Sequence, residues 1–280
     1  MVVGARQGLA NLGGATVGRM AHAAINGQRI YFEDTGGDGP VVVLAHGFLM
    51  DHEMFAPQVA ALRSQYRVIT WDERGFGLTE FDGNPFTYWD SAADCVGLMD
   101  HLGIDRAVVG GMSQGGFLSL RTALTAPARV RALILLDTQA GVEDAAHIEA
   151  YTAMLQMWET VGPVDELANT VAGIIIDDPA ESPKWVAKWQ ARDKELIAQS
   201  GACLMSRDDI SSRLAEITCP ALVVHGTEDT AITMDTAEEL AAGLVGCGGV
   251  VAVGGAHAAS LTNPEPVNAA ILDFLAGLPT

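Results

Sequence analysis

Short, nearly unbroken apolar runs alternate along this chain with stretches of helical periodicity. The runs fall at 41–45, 67–71, 107–110, 130–136, 221–226 and 249–253. They are rich in valine, leucine and isoleucine, and most lack the in-out alternation of a half-exposed strand, so they predict strands covered on both faces. Between them, apolar residues recur at helical spacing over 55–62, 88–102, 114–126 and 234–244. A last helical pattern covers 264–275 and is followed by the stop signals Gly277 and Pro279. Residues 23–34 alternate instead, around the hairpin dipeptide Asn26-Gly27. Strands interleaved with helices predict an α/β fold: a doubly wound, mostly parallel eight-stranded sheet flanked by helices, with the hairpin as an antiparallel edge.

One interval breaks the rhythm. From 141 to 214 there is no strand pattern, only amphipathic helical stretches punctuated by Gly162-Pro163, Asp178-Pro179 and Ser182-Pro183. The expected division is therefore a core of residues 21–140 and 215–280, interrupted by a helical insertion at 141–214. Residues 1–20 are rich in Gly and Ala and predict a disordered extension. Their apolar stretches are too short to span a membrane and lack a signal-peptide core, so a cytoplasmic location is expected.

Charge narrows the partners. Sixteen Lys and Arg face thirty-five Asp and Glu, a formal net charge of −19. Such a surface repels nucleic acid and anionic membranes, which leaves a small molecule as the expected ligand and a homo-oligomer as a compatible state. The four cysteines form no C-x-x-C pair, and no Cys/His cluster has ligand spacing. Free thiols, no bound metal and no cofactor are expected.

Candidate chemistry gathers in four polar loops, each directly after an apolar run, where open α/β sheets place their sites. In Gly111-Met112-Ser113-Gln114-Gly115 a serine stands at a strand-to-helix turn, which thrusts its hydroxyl over the sheet edge. The other three loops carry His46-Gly47-Phe48, Thr227-Glu228-Asp229 and Gly254-Gly255-Ala256-His257. A serine hydroxyl needs a neutral imidazole to take its proton, and the imidazole needs a carboxylate to hold its tautomer. His257 is the expected base and Asp229 the expected carboxylate. Glu228 beside it and Asp137 after the 130–136 run compete for that role.

These blocks resemble the α/β-hydrolase family over residues 22 to 280. The resemblance rests on His46-Gly47-Phe48, on Trp71-Asp72-Glu73-Arg74-Gly75-Phe76-Gly77, on the Ser113 turn, on Gly226-x-x-Asp229 and His257, and on Asn263-Pro264-Glu265. It implies an acyl-transfer triad of Ser113, Asp229 and His257, with the backbone N–H groups of Phe48 and Gln114 as oxyanion donors. The 141–214 insertion would be a cap over the site, contributing pocket residues from among Met154, Met157, Trp158, Trp185, Trp189 and Met205. His46 is expected to order its loop, and Asp72 and Arg74 to form a structural turn pair. A serine at the turn argues against the family's haloalkane dehalogenases and epoxide hydrolases, which use aspartate there. What remains is hydrolysis of a carboxylic ester or lactone with a small to medium, mostly apolar substrate. Carbon–carbon bond hydrolysis and cofactor-free perhydrolysis use the same triad, and a hydrolase-fold ligand receptor is a further class.

Overall fold

The apolar runs become the strands of one eight-stranded sheet in the computed structural model, which describes residues 19–279. In chain order the strands are β1 (Arg19–Ile25), β2 (Gln28–Asp34), β3 (Val41–Ala45), β4 (Arg67–Trp71), β5 (Ala107–Met112), β6 (Val130–Leu136), β7 (Ala221–Gly226) and β8 (Cys247–Val253). Their order across the sheet is β1-β2-β4-β3-β5-β6-β7-β8. β1 and β2 form an antiparallel hairpin, β2 is antiparallel to β4 as well, and β3 through β8 are mutually parallel.

The hairpin turns where Asn26-Gly27 places it, with both residues at positive φ (47° and 83°) as a tight two-residue turn requires. Its first strand starts earlier than the expected extension allows. Arg19 and Met20 pair with Asp34 and Glu33, so they belong to the sheet. Residues 1–18 of that expected extension lie outside the described residues.

Helices α1 (Ala56–Leu62), α2 (Tyr88–His101) and α3 (Gln114–Thr125) precede β6. The interval to β7 holds α4 (Ala145–Val161), α5 (Asp165–Ile175), α6 (Ser182–Gln190) and α7 (Ile197–Met205), with no strand. Helices α8 (Met234–Gly243), α9 (Ala259–Thr262) and α10 (Pro264–Ala276) complete the chain. The expected helix at 55–62 is preceded by a 3-10 turn at His52–Phe55, in which the Glu53 amide is capped by the Asp51 side chain.

Continuous apolar strands are explained by helices on both faces. Val43, Val109, Leu133, Leu135 and Val223 pack into one core with residues of α2, α3 and α8. Their neighbours Val42, Val108, Ala132, Ile134 and Val224 pack into the other with α1, α10 and part of the insertion. Each such side chain stabilises the fold by roughly 1.5–3 kcal/mol relative to exposure. All four cysteines are free, and Cys95 and Cys203 are buried in this packing. Among the described residues no helix is long and apolar enough to cross a membrane.

Candidate active site

The β5–α3 turn is crowded enough to explain its glycines. Gly111 and Gly115 face the backbone of Ala45 so closely that a Cβ on either would overlap its carbonyl. Between them Ser113 sits at φ 53° and ψ −115°, a strained conformation for a residue with a Cβ. Strand pairing and helix entry hold it there. Ser113 N–H donates to the Leu136 carbonyl at 2.9 Å, and its own carbonyl accepts from Thr138 Oγ1 at 2.7 Å.

His257 follows β8 and turns Nδ1 to Asp229 Oδ2, 2.7 Å away. Asp229 Oδ1 accepts two backbone amides, from Ala231 at 2.8 Å and Ile232 at 3.0 Å, so its carboxylate cannot rotate freely. Burial pushes the Asp229 carboxyl upward, but the charge and hydrogen bond of His257 outweigh it and hold it below the usual range. Ser113 and His257 line one cavity of about 110 Å³. No hydrogen bond joins the serine hydroxyl to the imidazole in this structure. In ligand-free sites such contacts are often long and tighten only around substrate.

The competing carboxylates lie elsewhere in the network. Asp137 is buried at the end of β6, accepts the Gly226 amide at 2.7 Å, and makes no bond to His257. Burial, reinforced by the charge of Asp229, pushes its carboxyl well above the ordinary range. Glu228 is exposed. His225 is buried beside Asp229, with Nε2 2.9 Å from the Ile232 carbonyl.

Gln114 is the first residue of α3, where the leading amides have no intrahelical acceptor. Phe48, from the loop after β3, lines the same cavity as Ser113. The Gln114 side chain does not line that cavity. It is buried away from the cavity, with Nε2 donating to Glu73 Oε1 at 3.0 Å and Oε1 accepting from Tyr88 at 3.2 Å. Burial holds Glu73 well above the ordinary carboxylate range.

His46 ties down its loop as expected. Its Nε2 accepts the Glu73 amide at 3.0 Å, and its Nδ1 lies 2.8 Å from the Gly47 carbonyl. Asp72 and Arg74 are structural but do not pair with each other. Asp72 binds the amide and ring of His52 at 2.7 and 2.8 Å, whereas Arg74 binds Asp94 at 2.9 Å. Both lie in the loop after β4, and each is taken by a partner from a different segment, His52 for Asp72 and Asp94 for Arg74.

Helices α4, α5 and α7 supply most of the cavity's apolar wall, including Met154, Trp158 and Ile175. Of the other apolar residues expected there, Trp185 and Trp189 are buried in packing, and Met157 is exposed. Trp189 also reaches the core, donating Nε1 to the Leu49 carbonyl at 2.7 Å. Leu49 follows Phe48 and has a positive φ of 63°.

Sequence reasoning missed Glu143 and Tyr151, which line the same cavity. Neither stands in a motif, and no spacing marks them. Two groups of acids with a histidine, Asp51-His52-Asp72 and Asp137-His225-Asp229, lie close enough to suggest metal ligation. Asp72 and Asp229, however, are engaged by the protein donors described above, which accounts for both clusters without an ion.

Comparison with known proteins places this geometry in context. The model of a family described as alpha/beta hydrolase fold matches residues 40–181. The provisionally named carbamate hydrolase RutD of Caulobacter sp. strain K31 is 29% identical over 266 residues, covering 89% of this chain and 96% of the relative. The enol-lactonase of Burkholderia xenovorans LB400 superposes with a TM-score of 0.84 at 29% identity, covering 91% of this chain and 99% of its own. A thermophilic esterase from Thermogutta terrifontis superposes at 0.85 with 26% identity, over 94% of this chain and 100% of its own.

Proposed function

Because the chain belongs to the alpha/beta hydrolase fold family, we propose that it is a serine hydrolase acting on a carboxylic ester or lactone through an acyl-enzyme. The observation that carries this reading is the 2.7 Å bond from His257 to Asp229 at the cavity that the strained Ser113 also lines. In this reading Ser113 Oγ attacks the carbonyl carbon while His257 Nε2 takes the hydroxyl proton. Asp229 fixes the imidazole with Nδ1 protonated and stabilises the imidazolium.

The carbonyl oxygen becomes an oxyanion facing the amides of Phe48 and Gln114, each such donor contributing ~3 kcal/mol to the transition state. Collapse expels the alcohol, which leaves with the proton from His257. In a lactone this alcohol stays tethered and the ring opens. Water, deprotonated by His257, then attacks the acyl-enzyme and releases the acid. The helical insertion acts as a cap whose apolar wall selects a small to medium, mostly apolar substrate. The carbamate hydrolase named among the relatives supports a second acyl class, since a carbamate carbonyl would be attacked by the same serine.

Hydrolysis of p-nitrophenyl acetate and butyrate, with a pre-steady-state burst, tests the proposal. Turnover by the wild type with a burst, lost in Ser113→Ala, supports it. An inert wild type, or a Ser113→Ala variant that keeps its rate, would overturn it in favour of carbon–carbon hydrolysis or ligand capture.

A further inference from the structure

Resting on the reading of Ser113 as the nucleophile, we propose that Glu143 sets the substrate class: the cavity takes uncharged acyl groups ending in a hydrogen-bond donor and rejects those ending in a carboxylate. The cavity is otherwise apolar. Besides Ser113 and His257, its only lining residues that carry an acid or a hydroxyl are Glu143 and Tyr151, among the described residues.

The two oxygens of Glu143 are not equivalent. Oε1 accepts both bonds that the protein makes to this carboxylate, from Gln139 Nε2 at 3.0 Å and Arg207 Nη2 at 2.7 Å. Oε2 takes no donor from the described residues. The Glu143 side chain is only 12% exposed, so an unfilled acceptor there favours a ligand that supplies an N–H or O–H. Tyr151, half-buried in the same wall, makes no side-chain hydrogen bond among the described residues and offers a second polar contact. Burial and the charge of Glu143 both push its phenol up, which keeps it a neutral donor.

Arg207 does not turn the pocket into an anion site. Its side chain is 2% exposed, and although Nε has no partner among the described residues, Nη2 is taken by Glu143, Nη1 by the Leu204 carbonyl at 3.0 Å, and the guanidinium lies over Phe117, 4.4 Å from the ring centroid. A carboxylate-ended acyl chain reaching this wall would therefore meet a like charge whose counter-ion is already taken. At contact distance in a partly dry site that repulsion corresponds to discrimination on the order of a hundredfold.

The test compares p-nitrophenyl 6-hydroxyhexanoate with the p-nitrophenyl monoester of adipate, each as kcat/KM relative to acetate in the same preparation. In parallel, calorimetry measures binding of 6-hydroxyhexanamide and of adipamate, which needs no turnover. The wild type is expected to favour the neutral member of each pair by on the order of a hundredfold. Glu143→Gln is expected to cut that preference at least about tenfold. Because this variant leaves Arg207 without its anion, Glu143→Gln/Arg207→Met is carried beside it and should show the same loss of preference.

Equal handling of the two charges by the wild type, or a preference for adipate, overturns the proposal. So does a preference unchanged in both variants. If no ester is turned over but binding keeps its selectivity, the reading of Ser113 fails and the assignment of Glu143 stands.

Discussion

The two walls of the cavity are built on different principles. On the sheet side, position is imposed by backbone: Ser113 is strained between glycines that no other residue could replace, and Asp229 is clamped by two amides. On the insertion side, position is imposed by side-chain packing. Helices α4 to α7 interdigitate apolar residues and still leave Val142, Met157, Val161, Val164 and Leu196 exposed. A backbone-built wall can hold side chains to fractions of an ångström, the precision that the proposed acyl transfer would require. A side-chain wall can change shape through substitution without disturbing that geometry. Chemistry and selectivity are thus separable, and substitutions on the two sides should fail differently.

The largest expected effects lie on the sheet side. Ser113→Ala and His257→Ala should each lower kcat on p-nitrophenyl acetate at least about a thousandfold, with the double variant little worse than either. Asp229→Asn should cost on the order of a thousandfold or more, because the amide stabilises the wrong imidazole tautomer. Asp137→Asn, which touches no reacting group, should stay within a few-fold of wild type. A large loss at Asp137 together with a small one at Asp229 would relocate the carboxylate to β6.

On the insertion side, Trp158→Ala should raise KM for butyrate about tenfold while leaving kcat on acetate within a few-fold. Equal losses in kcat for both esters would show that the insertion positions the reacting atoms, and the separation of the walls would fall.

The smallest effect concerns stability and pH. Glu73 and Asp137 are held well above the carboxylate range, in both cases first by burial, so the folded protein keeps protons that the unfolded chain releases near pH 4. Stability then falls as pH rises from that value through the raised folded values. Glu73→Gln and Asp137→Asn should each remove part of this loss, raising Tm at pH 8 by about 2–4 °C relative to wild type with little change at pH 5. Asp72 and Asp229 have the opposite sign. Burial raises each, but histidine partners outweigh it and hold them low. Their stabilisation is complete above the ordinary carboxylate range and disappears as pH drops below it.

The contrast between the walls also explains what could be read from the residues alone. The strands, the Asn26-Gly27 turn, Ser113, Asp229 and His257 were legible because each answers to a local rule of periodicity, backbone conformation or strand-end placement. The surroundings of the Gln114 side chain were not legible, since its partners Glu73 and Tyr88 arrive from distant segments. The separate partners of Asp72 and Arg74, the start of β1 at Arg19, and the placement of Glu143 beside Arg207 depend on tertiary contacts in the same way. No local pattern marks a residue whose role is defined by what comes to lie beside it.

Several bonds tie the insertion to the core, among them Arg192 to the Gly75 carbonyl and Lys188 to Asp51, and one of them reaches the loop of Phe48. The indole of Trp189 on α6 holds the carbonyl of Leu49, so the loop that presents the Phe48 amide is moored partly to the insertion. Rotating α6 away from the core would have to break that bond or draw the Leu49 carbonyl, one residue from Phe48, along with it.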